Sequence, residues 1–500
     1  MGNRTSQQKR MRSRTSGFAA RPPRRETEQV RSGARRGGAG PDRADGWLFA
    51  TLAAITTVTA IVSSLGAPLV PSIAERYDVR LSTAQWVLTA TLVCAAATTP
   101  ALGRWGSGRL RRPVLLGGLV AVLLGTVLSA LPLGIGPLIA GRALQGVGLA
   151  ITPLALAVGR DVWHGRQLVS RLSLLSIAGV SGAGLGYPLT GLVAEHAGIA
   201  GAYTFGAVLI VLTLALAVRH LPRDHDGKAQ VVDLPSVALL GLGSVGVLLA
   251  VSEGDHWGWT SPALLCLLAA GLLLVAAWVV RTRALQRGGG QPLVDLALAG
   301  RPGVLGPHAV AFVLACAMYV LLTLVVLLVR ADGSDGWGLD LGVTEAGLVL
   351  VPYALLSVGG SRVALRLSHR FGTAVVLPVG CTVFASSLVV LALWHDHLWQ
   401  ALLAMAVGGL GSGFSFSTMT VLIVPHVPAS ETGSAMAFNQ LMRYLGFAVG
   451  SAATVALLAV HGDDDGAFVA TALTLAGLCL LAGAAVAVRW RPGAGRPAPH

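Results

Sequence analysis

Charge is scarce in this chain. Asp, Glu, Lys and Arg make up 12% of its 500 residues, about half of the ~25% usual in soluble domains. So little polar surface excludes an ordinary soluble fold, because helices that are apolar all round must be buried in protein or lipid. Lysine is nearly missing: Lys9 and Lys228 are the only two, so 35 of the 37 basic residues are arginine. No Asp or Glu falls in the middle of a long apolar run. The five cysteines (Cys94, Cys266, Cys316, Cys381, Cys479) lie inside apolar runs without CxxC spacing, and they read as small packing residues rather than disulfides or metal ligands. There is no P-loop, which argues against ATP as the driving force. No Ser/His/Asp or paired-carboxylate arrangement points to an enzyme, and no cofactor is called for. Glycine patterns near GxGxxG follow no strand, so they mark no nucleotide site.

What the chain has is hydrophobic length. It is 54% hydrophobic, with a mean hydropathy of +0.69, and runs of bilayer-spanning length recur along it. The expected fold is an all-α polytopic membrane protein with fourteen spans: 47–70, 84–103, 113–133, 136–157, 172–195, 201–218, 234–252, 262–280, 304–329, 343–361, 373–394, 398–424, 433–459 and 467–488. Charge tests that count. With both ends cytoplasmic, 32 of the 37 basic residues fall in inner segments, three (Arg76, Arg80, Arg330) in outer loops, and two (Arg142, Arg443) within spans. The positive-inside rule predicts such an asymmetry, and one missed span would scramble it. The sequence pI of about 10.7 is explained by arginines beside the bilayer and anionic lipid, not by nucleic acid. No cleavable leader is read from the first apolar run, which is too long and is followed by thirteen more.

The organisation expected is a disordered basic tail (1–46), a six-helix bundle (47–220), two inserted helices with linkers (221–300), a second six-helix bundle (301–490) and a short tail (491–500). Inner loops RWGSGRLRR (104–112) and RVALRLSHR (362–370) each follow the second span of a six-span block, a hint of duplication. Repeated bundles rocking about a midplane site are a common transporter design.

Several segments carry more specific signals. GVSGAGLGYPLTG (179–191) puts glycine and proline, the poorest helix formers in water, inside an apolar run. In lipid a helix cannot unravel into solvent, and there Ala178, Gly182, Gly186 and Thr190, four apart, form a small-residue ridge for close packing. Pro188 removes one ladder bond and invites a bend. Arg142 in AGRALQGVGLA (140–150) and Arg443 in FNQLMRYLGFAVGSA (438–452) are costly mid-span cations that need a cavity or a partner. Arg142 shares a helix face with Gln145, and Arg443 with Asn439 and Gln440. Capping of carbonyls is the plainer reading of both arginines. GFSFSTMT (413–420) brings two phenylalanines and several hydroxyls, suited to a cavity or to lipid. WHDHLW (394–399) and HGDDDG (461–466) read as an interfacial belt and a solvated turn rather than metal sites.

Taken in order, QWVLTATLVCAAATTPALG (85–103), AGRALQGVGLA, GAGLGYPLTG (182–191), SEGDHWGWTSP (252–262), QPLVDL (291–296), EAGLVLVP (345–352) and FNQLMRYLGFAVGSA resemble the major facilitator superfamily, and within it the 14-helix drug:proton antiporter branch, over about 47–490. The resemblance implies the major facilitator fold in a 6 + 2 + 6 arrangement. It also implies alternating-access export of drug-like or secondary-metabolite molecules by proton antiport, in a bacterial cytoplasmic membrane, by a monomer. An importer or uniporter of the same fold, or a non-transporting membrane sensor or assembly partner, remain alternatives. The pathway residues implied are Arg142, Gln145, Asn439, Gln440 and Arg443, and the antiporter motif supplies Gly182, Gly186, Pro188 and Gly191. Three departures stand out. Ser107 and Leu110 replace the Asp and second Gly of the usual loop between helices 2 and 3, and His369 stands where the second half often has Asp. Val62 occupies the place of the usual helix-1 carboxylate. Candidate proton carboxylates are then Glu195, at the outer end of helix 5, and Glu345, at the outer start of helix 10.

Overall fold

The computed structural model describes residues 41–66, 69–79, 81–223, 232–331, 338–341, 343–461 and 465–489. Two compact units divide the chain, 1–46 and Trp47–His500. Of the first only 41–46 are described, as the start of a helix; the rest of the 1–46 tail and the 491–500 tail lie outside the described residues.

All regular structure among the described residues is helical. The long helices are α1 (Pro41–Ser64), α2 (Leu81–Trp105), α3 (Arg111–Ala130) and α4 (Ile135–Val162). One helical stretch, Gly165–His220, is broken at Gly198 (φ 66°, ψ −172°) into limbs α5 (165–197) and α6 (199–220). Then follow α7 (Leu234–Ser252), α8 (Pro262–Arg287), α9 (Pro302–Arg330) and α10 (Val351–Phe371). The last are α11 (Thr373–Leu393), α12 (Leu398–Ile423), α13 (Thr432–His461) and α14 (Asp465–Arg489). Twelve stretches are long and apolar enough to cross a membrane; α10, dotted with Arg362, Arg366 and Arg370, and α13 are not among them. The described chain therefore holds twelve to fourteen candidate membrane helices.

Three boundaries differ from the sequence expectation. The first span, expected over 47–70, ends at Ser64, and a separate helix runs Val70–Tyr77; Gly66, and Pro68 in the sequence, disfavour continuation. The span expected over 343–361 is a short helix, Val343–Leu348, followed by α10. Pro352 explains this, since proline is tolerated in the first turn of a helix and not in its interior. Residues 362–370, expected as a loop, are the last turns of α10.

Helices α1–α6 pack through glycine. Gly146 of α4 sits on the backbone of α2 at Thr91 and Ala95, and Gly148 on Thr59 of α1. In α9–α14, Gly446 and Gly450 of α13 lie against Phe312 and Cys316 of α9, and Gly411 of α12 against Phe384 of α11. A Cβ at any of these positions would overlap its neighbour, the close approach that membrane helices use in place of a hydrophobic driving force. Helices α7 and α8 pair through Gly243, Gly246 and Gly271. Leu240 and Leu248 of α7 then pack into one cluster with Ala95 and Ala96 of α2 and Leu441 and Tyr444 of α13. Asp233 caps α7 and takes both nitrogens of Arg281 on α8, at 2.7 and 2.8 Å. That hydrogen-bonded guanidinium holds the Asp233 carboxyl down at about 2.

Candidate functional site

Between helices α1–α6 and helices α9–α14 lies a cavity of about 220 Å³, lined from α1, α2, α4 and α5 on one side and α9, α10, α12 and α13 on the other. Leu88, Leu92, Leu156, Met318, Met419, Met436, Tyr319, Phe416 and Phe447 give it an apolar, aromatic wall. Arg142, Asn439, Gln440 and Arg443 are its larger polar members, and among the described residues no carboxylate lines it. Gln145 stands one layer behind, bonded to Arg142. Both phenylalanines of GFSFSTMT are buried: Phe416 lines the cavity, while Phe414 packs against Ala364 and Val376.

Arg142 is fully enclosed (0% exposed) and heavily bonded. Nε donates to the Val87 carbonyl at 2.9 Å, Nη1 to the Val62 carbonyl at 2.9 Å and to Gln145 Oε1 at 2.6 Å, and Nη2 to the Ser63 carbonyl. Val62 and Ser63 belong to the last turn of α1, whose final carbonyls have no helical partner. A cation there also meets the negative end of the helix dipole. The carbonyl of Val62 thus receives the arginine at the very position where the resemblance leads one to look for a carboxylate. Gly66 keeps the space open: a Cβ on it would come within 3.1 Å of the Arg142 guanidinium.

Arg443 is in the opposite situation. Its Nη1 donates to Gln440 Oε1 at 3.1 Å and its Cζ lies 4.2 Å from the centre of the Phe416 ring. Nε is buried with no hydrogen-bond partner. The hydroxyls of Tyr353 and Tyr444, also on the cavity wall, make no hydrogen bond; Ser412 and Gln440 lie beside them outside bonding geometry. Asn439 turns from Arg443 toward α9, where its Nδ2 is 3.2 Å from His308 Nδ1 and 3.4 Å from the Pro307 carbonyl.

The glycine ridge of α5 faces α1. A Cβ on Gly182 would lie 2.5 Å from the Thr57 carbonyl, and one on Gly186 would overlap Ser64. Gly191 has open space around it. Contact with the other six-helix set falls to neighbours off the ridge: Gly184 against Ala354 of α10, and Ser181 3.4 Å from Ser357. The spacing revealed a packing face, but not which helix it packs on. Glu195 and Glu345 are exposed and neither lines the cavity. His395, from WHDHLW, bonds Asp465, from HGDDDG, at 2.6 Å, and among the described residues no cluster of metal-ligating side chains occurs.

At the arginine-rich end the two six-helix sets are fastened together. Arg104 Nη1 reaches both oxygens of Glu431, at 2.6 and 2.7 Å, and its Nη2 holds Gln291 at 3.0 Å. Arg160 donates to the Val427 carbonyl at 2.7 Å, the Pro428 carbonyl at 3.2 Å and the Thr432 hydroxyl. Ser107 donates to the Gly103 carbonyl at 2.6 Å. The carboxylate missing from position 107 is met here by Glu431, on the opposite side of the joint.

Two helical sets clasping one largely apolar cavity with a few polar side chains, fastened at one end, define a membrane solute carrier. The chain belongs to the Major Facilitator Superfamily, whose family model matches residues 52–238 and 308–500. It is 28% identical to the cephamycin export protein CmcT of Amycolatopsis lactamdurans, over 79% of this chain and 80% of that protein. It is 25% identical to the multidrug efflux pump LfrA of Mycolicibacterium smegmatis (82% and 80% covered), and 26% identical to the puromycin resistance protein pur8 of Streptomyces alboniger (86% of each). Among solved structures it shares the fold of the human organic anion transporter MFSD10, with a TM-score of 0.64 at 16% identity, covering 90% of this chain and 100% of that one. The proton:xylose symporter XylE matches with a TM-score of 0.61 at 15% identity, covering 89% and 95%.

Proposed function

We propose that this protein exports amphipathic, neutral or anionic small molecules in exchange for protons, by alternating access. The observation that carries the reading is the cavity: an aromatic and aliphatic wall, one guanidinium with an unpartnered nitrogen at Arg443, and no carboxylate among the described residues. Such a site offers apolar burial together with a charge that a cationic ligand would oppose and an anionic one would satisfy. Arg443, Asn439 and Gln440 touch the substrate in this reading. Arg142 and Gln145 hold α1 and α2 in place, and Gly182 and Gly186 seat α5 on α1. The relatives named for cephamycin export, multidrug efflux and puromycin resistance support export of drug-like molecules.

In the proposed arrangement, fourteen spans run 6 + 2 + 6, divided at 47–220, 221–300 and 301–490, with both termini in the cytoplasm. The gap in the family match, 239–307, falls on α7, α8 and the linker after them, as expected for an insertion between two halves. The arginine-rich end is then cytoplasmic, and the Arg104–Glu431 and Arg160 contacts close that side.

The test uses purified protein in liposomes with an imposed pH gradient. An anionic aromatic probe, anilinonaphthalene sulfonate, should accumulate severalfold over protein-free vesicles, while the cationic dye ethidium should not. Equal flux with and without the gradient would make this a uniporter. Accumulation of ethidium in preference to the sulfonate would overturn the charge assignment.

A further inference from the structure

A proton-driven carrier needs a group that gains and loses a proton within reach of its cavity. Arginine stays protonated in proteins, no carboxylate among the described residues lines the cavity, and Glu195 and Glu345 are exposed away from it. One titratable side chain is placed differently. His308 of α9 is 3% exposed, the only buried histidine among the described residues, and an imidazole can exist with or without the extra proton.

Its hydrogen bonds fix its tautomer. The Pro307 carbonyl can only accept, so the Asn439 amide must present its nitrogen to Pro307 and, with it, to His308 Nδ1. Nδ1 is therefore the acceptor, and the neutral ring carries its hydrogen on Nε2. Nε2 has no partner. The ring borders a void of about 10 Å³, whose walls also include Asp295, Glu431 and Ser434. That volume is near the minimum for one water. The charged groups facing the ring are thus Glu431, from the turn before α13, and Asp295, which caps the short helix Leu296–Ala299; Arg104 stands behind Glu431. Phe438 packs edge-on at 5.1 Å. On its other side Asn439 lines the main cavity.

We propose that His308 is the proton-coupling group, an inference that rests on the proton-exchange reading above. A proton from cavity water adds to Nδ1 and gives an imidazolium with N–H on both nitrogens. The Asn439 amide can no longer donate to it and turns over, presenting Oδ1 to the ring and a changed edge to the cavity. The cationic ring competes with Arg104 for Glu431 across the void, which loosens the fastening at the arginine-rich end. Opening there lets the same Nδ1 proton leave to the other side, and the neutral ring, with Asn439 restored, resets the latch. One proton enters and one leaves per cycle, and no other bond changes.

The experiment is His308→Gln in the full chain, reconstituted in liposomes, with anilinonaphthalene sulfonate as probe and a trapped pH dye to follow protons. Accumulation driven by the pH gradient should fall at least tenfold, probe-linked proton influx should vanish, and exchange of probe down its own gradient should continue. The rate of exchange should also lose the dependence on pH that the wild type shows. Undiminished gradient-driven accumulation by a well-folded His308→Gln protein overturns the proposal. Should that variant fail to fold, Glu431→Gln gives a second reading: its pH profile should shift relative to wild type, and an unshifted profile overturns the proposal. If the wild type itself ignores the gradient, the proton-exchange reading fails first and takes this inference with it.

Discussion

Each six-helix set places one arginine on the wall of the same cavity, and the two side chains live in different worlds. Arg142 spends its donors on three backbone carbonyls and a glutamine. Arg443 has one glutamine, one aromatic face and a nitrogen with no partner. The first set's arginine is a rivet; the second set's is a hook. On the cavity wall, the tyrosine hydroxyls without hydrogen bonds, Tyr353 and Tyr444, stand on the hook's side as well. A mid-membrane arginine is costly wherever it sits, so its position alone does not reveal its task; the state of its hydrogen bonds does.

The largest effect should come from removing the rivet. Arg142→Ala takes a donor from three carbonyls; Val62 keeps the Leu65 N–H and Val87 the Thr91 hydroxyl, so the Ser63 carbonyl and the Gln145 amide oxygen lose most, at ~1–3 kcal/mol for each buried group left unmet. Thermal melting in detergent should drop sharply and transport should disappear. Arg142→Lys should recover only part of the loss, because one ammonium cannot reproduce the planar fork. Removing the hook should cost function without stability. Arg443→Ala should weaken binding of anilinonaphthalene sulfonate by about 10- to 100-fold, the worth of a charged hydrogen bond. Its melting temperature should hold or rise, since an under-bonded buried charge is gone. If both alanine variants melt alike, the contrast between the two arginines is wrong.

A third arginine gives the smallest effect and a control. Arg281 has a true carboxylate partner, Asp233, but 39% of its side chain is exposed, so Asp233→Asn should cost ~1 kcal/mol or less. The sign in pH follows from the lowered carboxyl. The folded value, about 2, lies below the ordinary 3.8, so the pair contributes fully above pH 4 and loses its contribution as pH falls from there toward 2. Melting curves of wild type and Asp233→Asn should converge across that window.

Much of this was legible in sequence, because the bilayer allows few solutions. Apolar runs had to be helices, and Arg142, Gln145, Asn439, Gln440 and Arg443 do gather at or just behind one cavity. What escaped has physical causes. Arg142's partners are main-chain oxygens, which leave no mark on side-chain patterning. The ridge Gly182–Gly186 has a period but no address, so its seat on α1 came only with the packing. His308, in GPHAV (306–310) near the head of α9, belongs to no motif and is one polar residue in an apolar run. The signal was there: an ionisable group inside a membrane segment is a functional candidate by default.

Carbonyl anchorage has a consequence for heredity. Every residue has a carbonyl, so no substitution at Val62, Ser63 or Val87 deletes the oxygens that Arg142 grips. A carboxylate partner is lost by a single codon change. The side chains at 62, 63 and 87 are therefore free to drift as far as packing permits, while the burden of keeping the joint falls on codon 142, with Gln145 and Gly66 beside it. Reliance on the main chain concentrates the mutational risk in the arginine and removes it from its carbonyl partners.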